Sequence, residues 1–267
     1  MMFFVLKNGH LFCNSRYTVF WGERTPWWVI VDATGAVGHG SRFIEDTAVE
    51  KLIEVSNKAL EFRVKQEQQL GYGWANTDGN GPAGCKHCEA KRLGDVTSLN
   101  LTMLQAGVTP DNGKTFNLNV IPATARAGFD IRIATDTPPN DIGAMLDEWC
   151  EGEGLSWKFM DNFNPLYEHF LTSLDPTVNP WAGTFLGCFE RLGIGVEPEI
   201  FPAGTDSRFV RAIGVPCFGF SPIRNTPILL HDHNERLRVS EFTNGIGVYM
   251  ELIHDMGNAA HALAEKL

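Results

Sequence analysis

The spacing of apolar residues changes several times along the chain. Apolar and polar residues alternate over residues 17–24 and 25–35, which predicts two β-strands. From residue 44 to residue 70 the apolar positions recur every three or four residues, which predicts one long amphipathic helix. The same criteria predict strands at 96–108, 117–133 and 155–161 and a short helix at 141–152.

The order of these elements predicts the fold. From residue 25 to residue 161 it is strand, helix, strand, strand, helix, strand, the βαββαβ order of a ferredoxin-like unit. Alternating helices and strands follow, which predicts a layered α/β domain. We therefore expect an α/β fold in which a ferredoxin-like unit is inserted into an α/β domain. The predicted divisions are 1–24 and 166–267 for the α/β domain and 25–165 for the insert.

Residues 71–95 interrupt the pattern. Gly, Asn, Pro and Asp dominate this stretch, which predicts a surface loop. The loop contains Cys85 and Cys88, separated by two residues, one of them His87. A structural zinc site needs a second pair of ligands at suitable spacing. We interpret these cysteines as exposed thiols.

Composition excludes some classes of partner. The chain has 32 acidic and 22 basic side chains and a formal net charge of −10, without a basic cluster, so we expect no nucleic-acid partner. No apolar stretch is long enough for a transmembrane helix and no secretory signal is evident, so we expect no membrane partner. Most of the six cysteines are single residues in apolar surroundings. This pattern is typical of a reduced, cytoplasmic protein.

Three residues of the predicted insert have chemically useful side chains. His39 lies between two glycines after a strand, where its ring can be exposed; a surface histidine in a turn has the same local sequence. Asn119 and Arg132 occur in one strand-like stretch, and we expect them on adjoining strand ends. An amide and a guanidinium together suit a carbonyl or carboxylate. A capping Asn and a solvated Arg are the simpler interpretation.

Two segments of the α/β domain offer further candidates. In residues 201–214 a strand leads through Gly204 to a turn and a helix that Asp206 or Ser207 can cap, with Arg208 nearby. A plain helix start explains this pattern equally well. His231 follows an apolar run. Imidazole is a common zinc ligand, but one ligand cannot hold zinc.

Taken together, several segments resemble the C-terminal two-thirds of the aminoacylase-1 family, zinc-dependent N-acyl-amino-acid amidohydrolases. The resemblance extends over most of residues 17–255 and fails chiefly at residues 71–95. It is carried by TVFWGERTPWWV, GHGSRFIEDTAVEKL, SLNLTMLQAGV, NVIPATARAGFDIR, GTDSRFVRAIGVPCFGFSP and TPILLHDHNERL.

The resemblance implies a zinc-exopeptidase-type α/β domain, here partial, with an inserted ferredoxin-like lid through which two subunits form a homodimer. It implies that His39 reaches the partner subunit's active site and stabilises the oxyanion formed from the amide. Asn119 and Arg132 then correspond to lid residues that touch the N-acyl-amino-acid substrate. Gly204 and Arg208 correspond to the loop beside the substrate carboxylate, and His231 corresponds to a zinc ligand.

The chain also departs from this family. The other zinc ligands and the general-base Glu of the family lie in segments that have no counterpart here. The resemblance implies that Asn8 replaces an acidic ligand of the family, with Lys7 beside it. We therefore expect an incomplete zinc site and a chain that is inactive by itself, from a protein whose full-length form hydrolyses N-acyl-amino acids. The alternative is a non-catalytic dimerisation module that pairs with a full-length subunit.

Overall fold

The computed structural model describes residues 16–70, 92–224, 226 and 233–264. The chain divides into two compact units. One unit is Arg24–His169, and the other combines the residues up to Glu23 with those from Phe170 onward. The predicted domain divisions at 1–24, 25–165 and 166–267 stay predictions for the whole protein.

The described residues contain nine strands and five α-helices, as follows. The strands are β1 (Tyr17–Glu23), β2 (Thr25–Thr34), β3 (Gly38–His39), β4 (Ser98–Ala106), β5 (Val120–Ile121), β6 (Thr124–Ile133), β7 (Leu155–Phe159), β8 (Val196–Phe201) and β9 (Gly219–Phe220). The helices are α1 (Ala48–Glu67), α2 (Pro139–Trp149), α3 (Pro180–Arg191), α4 (Ser207–Ala212) and α5 (Val239–Ala264), and a short 3₁₀ turn occupies Leu93–Asp95.

The Arg24–His169 unit contains a four-stranded sheet in the order β4-β6-β2-β7. All three neighbouring pairs are antiparallel. With α1 after β2 and α2 after β6, this is the ferredoxin-like arrangement. The predicted α/β fold with a βαββαβ unit is confirmed, and we call this unit the lid.

Helix α1 covers the lid sheet with one apolar face. Its buried residues recur at helical spacing and include Leu52, Val55 and Ala59. The prediction began this helix at residue 44, but it begins at Ala48, because Thr47 forms a capping box with Glu50.

The lid core is aromatic on the side of β2 and β7. Trp27 is fully buried, and its ring meets that of Phe159 edge-on with the centroids 5.0 Å apart. The indole N–H donates to the carbonyl oxygen of Leu166 at 2.9 Å. The segment after β7 is therefore fixed to the lid by a satisfied buried donor.

The second unit contains a sheet in the order β8-β1-β9. Strand β1 pairs parallel with β8 and antiparallel with β9. Helices α3 and α5 pack on it, and Phe220 stacks edge-on against Phe189 and Tyr249 in the core between them. This arrangement agrees with the layered α/β prediction.

Several predicted boundaries were wrong. The single strand predicted at 117–133 is two strands, β5 and β6. Residues 38–39, predicted as a turn, pair with β5. No helix within the described ranges has the length and apolar character that a bilayer crossing requires.

Candidate active site

His39 and Asn119 lie together at one end of the lid. Strands β3 and β5 form a short antiparallel ladder in which His39 is opposite Val120. The Gly40 N–H donates to the carbonyl oxygen of Asn119 at 2.8 Å. This ladder continues the β2–β6 pairing beyond Thr34, and we call residues 37–43 and 116–121 the lid tip.

Local hydrogen bonds fix the tautomer of neutral His39. The Ser41 backbone N–H lies 3.2 Å from Nδ1, and the Ser41 hydroxyl lies 2.8 Å from it. Because a backbone N–H can only donate, Nδ1 accepts, and the proton of the neutral ring is on Nε2. The ring is exposed, so it presents Nε2–H outward as a hydrogen-bond donor.

The lid tip is unusually apolar for an exposed surface. Leu118 is 94% exposed, and Phe116 and Val37 are 50% and 61% exposed. Phe43 and Val120 also expose much of their apolar surface. Clustered exposed apolar side chains mark a surface that contacts another molecule.

Arg132 lies at the opposite end of β6 from the lid tip. In the β2–β6 ladder Thr34 pairs with Thr124, whereas Arg132 pairs with Pro26. The eight residue steps from Thr124 to Arg132 span about 26 Å of strand. The expectation that Asn119 and Arg132 occupy adjoining strand ends was therefore wrong, because an irregular segment and most of β6 separate them.

Arg132 is held by an ion pair on its own strand. Its Nε and Nη2 donate to the two carboxylate oxygens of Asp130 at 2.6 and 2.7 Å. Buried Arg24 lies close by and donates to the carbonyl oxygen of Val96 and the hydroxyl of Ser98, both at 3.0 Å. Burial, with the charge of Arg132 in addition, lowers the pKa of Arg24 to about 10. This end of the lid is cationic at neutral pH and suits an anionic group.

Gly204 and Arg208 lie in the second unit, Gly204 in the turn after β8 and Arg208 in the first turn of α4, and we call residues 204–208 the Gly204–Arg208 turn. The Arg208 Nη1 donates to the carbonyl oxygen of Thr205 at 2.7 Å, and its guanidinium lies over the ring of Phe209. Asp206 precedes the helix but makes no side-chain cap. Instead, the Thr205 hydroxyl accepts the Ser207 N–H at 3.2 Å.

The sequence analysis missed Glu23 and Arg211, which adjoin this turn. Both side chains are buried, and Glu23 accepts hydrogen bonds from the N–H and the hydroxyl of Thr205. The available signal was the presence of charged residues in the largely apolar motifs TVFWGER and RFVRAIG. Charged residues are seldom fully buried, and the pattern alone gives no reason to pair residues so far apart.

The predicted zinc ligand His231, together with Asn8, Lys7 and the Cys85–Cys88 pair, lies outside the described residues. Within the described part of the chain, no three His, Cys, Asp or Glu side chains are placed to hold a metal ion.

Comparison with known proteins identifies the family. Residues 44–255 match peptidase family M20/M25/M40. The chain belongs to this family.

Curated relatives that match nearly all of this M20 chain include aminoacylases. It is 48% identical over 253 residues to aminoacylase-1 of Dictyostelium discoideum, covering 95% of this chain and 58% of the relative. It is 40% identical over 252 residues to aminoacylase-1 of Homo sapiens, covering 94% of this chain and 55% of the relative. The chain therefore spans little more than half the length of these relatives.

Solved structures support the M20 fold. A tripeptidase from Staphylococcus aureus aligns with a TM-score of 0.57 at 15% identity, over 90% of this chain and 54% of that one. Aminopeptidase PepT from Bacillus cereus aligns with a TM-score of 0.54 at 14% identity, over 94% and 56%. At this identity the likeness concerns the fold alone.

Proposed function

We propose that this chain belongs to an aminoacylase-type enzyme that hydrolyses N-acyl-amino acids to a carboxylate and a free amino acid. It supplies the lid and part of the α/β domain. The observation that carries the proposal is the lid tip, where His39 presents an Nε2–H donor beside Asn119. The identity to aminoacylase-1 relatives supports the substrate class.

His39 acts on the amide carbonyl of the substrate. Attack of water on an amide places negative charge on the carbonyl oxygen, and a fixed donor about 3 Å away stabilises that charge. The Ser41 N–H keeps the lone pair of His39 on Nδ1 and so keeps its donor at Nε2. Asn119 adds a side-chain amide at the same end of the lid.

Two ends of the lid serve two different active sites. An N-acyl amino acid has an extended backbone of only about 7 Å. Arg132 and the lid tip are separated by at least the 26 Å or so of β6, so one substrate does not contact both. In our proposal Arg132 acts in the active site of its own subunit, and His39 acts in that of the partner.

The proposed homodimer forms through the lid. Besides the lid tip, α1 exposes Ile53, Leu60 and Val64 at helical spacing, with Asn57 between them. Strand β4 ends the described sheet on one side, and an unpaired edge can extend a sheet across a two-fold axis. The alternative is that this chain is a non-catalytic dimerisation module that pairs with a full-length subunit. Such a mixed dimer would use the same surface, so this surface supports both interpretations.

The substrate carboxylate is assigned to Gly204 and Arg208, whose turn offers a guanidinium and backbone N–H groups. Zinc is the cofactor we propose for the whole enzyme, with His231 as one ligand.

We also propose a cytoplasmic location. Cys150, Cys188 and Cys217 are free thiols, which suits a reducing compartment.

The test is hydrolysis of N-acetyl-L-amino acids by the protein at its natural length. Loss of one oxyanion donor should lower kcat of the His39→Ala variant by about a hundredfold or more, with the zinc content unchanged. His254→Ala is the matched control, because His254 is an exposed histidine on α5. Unchanged turnover in His39→Ala would remove His39 from the mechanism.

A further inference from the structure

A buried ion pair lies behind the turn that carries Gly204 and Arg208. Glu23 ends strand β1 and is 5% exposed, and Arg211 is on α4 and is 6% exposed. The Arg211 Nη1 and the Glu23 Oε1 are 3.7 Å apart, which is an ion-pair distance but too long for a hydrogen bond. Neither of these two atoms has a hydrogen-bond partner among the described residues.

The other carboxylate oxygen of Glu23 holds the turn directly. Oε2 accepts the backbone N–H of Thr205 at 3.0 Å and also its hydroxyl. The same hydroxyl oxygen accepts the Ser207 N–H, and the Thr205 carbonyl accepts Nη1 of Arg208. This hydrogen-bonded route from Glu23 to Arg208 passes through Thr205, and the charge of Arg208 also acts directly to lower the pKa of Glu23.

Arg211 is anchored on its far side. Its Nε donates at 3.2 Å to both the hydroxyl of Thr172 and the carbonyl oxygen of Cys217. Thr172 also accepts the Cys217 N–H at 2.9 Å and donates to the Cys217 carbonyl at 2.8 Å. These bonds hold the guanidinium beside Glu23.

Burial of this ion pair carries a desolvation penalty for both charges. Burial raises the pKa of Glu23, and the hydrogen bonds from Thr205 and the charge of Arg211 oppose that rise. A buried ion pair often contributes less to stability than apolar side chains of the same volume. Its effect here is on orientation, because a carboxylate held in a fixed position determines the direction of the Thr205 N–H.

We propose that Glu23 is a positioning residue for the substrate carboxylate, acting through Thr205 on the Gly204–Arg208 turn. The inference rests on the proposed function, in which this turn receives the carboxylate. Glu23 itself does not touch substrate. Loss of the Glu23 carboxylate should therefore weaken the binding of acid substrates and not that of carboxamides, because only the carboxylate end of the N-acyl amino acid contacts the turn.

Two measurements on Glu23→Gln test the proposal in the protein at its natural length. Hydrogen exchange at the Thr205 amide should quicken by about tenfold, as expected for the loss of a charge-assisted hydrogen bond. The KM for N-acetyl amino acids should rise by about tenfold and kcat should change little, whereas the kinetics with the corresponding carboxamides should stay unchanged. Glu199→Gln is the control, because Glu199 is a half-buried carboxylate on neighbouring β8.

A second pair of variants keeps the test decisive if Glu23→Gln folds poorly. Thr205→Val removes the hydroxyl and should raise the KM for the acid substrate. Thr205→Ser retains the hydroxyl and should keep this KM near the wild-type value. A structural role alone predicts a loss of folded protein in Thr205→Val without discrimination between acid and carboxamide.

Arg208→Ala separates failure of this inference from failure of the proposed function. If Arg208→Ala loses the preference for acid over carboxamide but Glu23→Gln retains it, the positioning role is overturned and the function stands. Unchanged exchange at the Thr205 amide in Glu23→Gln also overturns it. If Arg208→Ala retains the preference, the assignment of the turn to the carboxylate is wrong, and the inference falls with it.

Discussion

Two variants that are each inactive should restore activity when they are combined in one dimer. The first is His39→Ala, which disables the lid tip, and the second is Arg132→Ala, which disables the opposite end of β6. In the proposed dimer an active site uses Arg132 of its own subunit and His39 of the partner. A mixed dimer then has one site that lacks both side chains and one site that retains both.

The size of the effect follows from the geometry. The β6 strand keeps the two residues at least about 26 Å apart, so they belong to different sites of a two-fold dimer. Random pairing makes half of the dimers mixed, each with one intact site of two. The unfractionated mixture should therefore reach about a quarter of the wild-type turnover per subunit, and the purified mixed dimers about a half, from parents that are each reduced by about a hundredfold.

The assay is co-expression of the two variants with different affinity tags, followed by sequential purification and an N-acetyl amino acid assay. His39→Ala combined with Asn119→Ala is the control, because both residues lie in the lid tip and no intact site results. Mixed dimers of His39→Ala and Arg132→Ala that stay as inactive as their parents would refute the assignment of the two lid ends to different sites.

Three further predictions concern single residues. Val64→Glu should shift the homodimer to monomer in sedimentation experiments, because it places a charge on the exposed apolar face of α1, and Lys58→Glu on another face should not. Thr47→Ala removes the capping box of α1 and should lower the free energy of unfolding in urea by about 1 kcal/mol, and an unchanged midpoint would contradict this. Burial raises the pKa of Cys188 to about 11, so its thiol should stay protonated and resist iodoacetamide at pH 8 until the protein unfolds; rapid labelling of native protein would contradict the burial.

Much of the lid could be predicted from the sequence because its signals are local and strong. The alternation in β2 and the helical spacing in α1 each extend over many residues and reflect burial against one sheet. The predicted start of α1 was four residues too early because Ile44 fits the apolar spacing of the helix. The actual cap is Thr47, and Asp46 has a φ of +58°, which is outside the helical range.

The lid tip was harder to predict because its structure depends on the pairing of two short strands and not on a periodic pattern of apolar residues. The β3–β5 ladder joins Gly38 and His39 to Ile121 and Val120 by only two residue pairs, too few to give a periodic signal. Gly35 lets the chain after β2 pass close to the start of α1, since a Cβ there would lie 2.3 Å from the backbone nitrogen of Ala48. The glycines around His39 indicated exposure, and the resemblance to aminoacylases supplied a role.

The residues of the candidate site are held in position by different kinds of contact. Arg132 takes its place from a register of ten pairs between β2 and β6, so any sequence that forms this sheet places it at the same end. The Gly204–Arg208 turn has no such register and depends on Glu23, a residue far away in sequence. Hydrophobic patterning finds the first kind of position because the whole strand contributes to the signal. It cannot find the second kind, since a single buried carboxylate looks like an interruption of its strand until its partner in space is known.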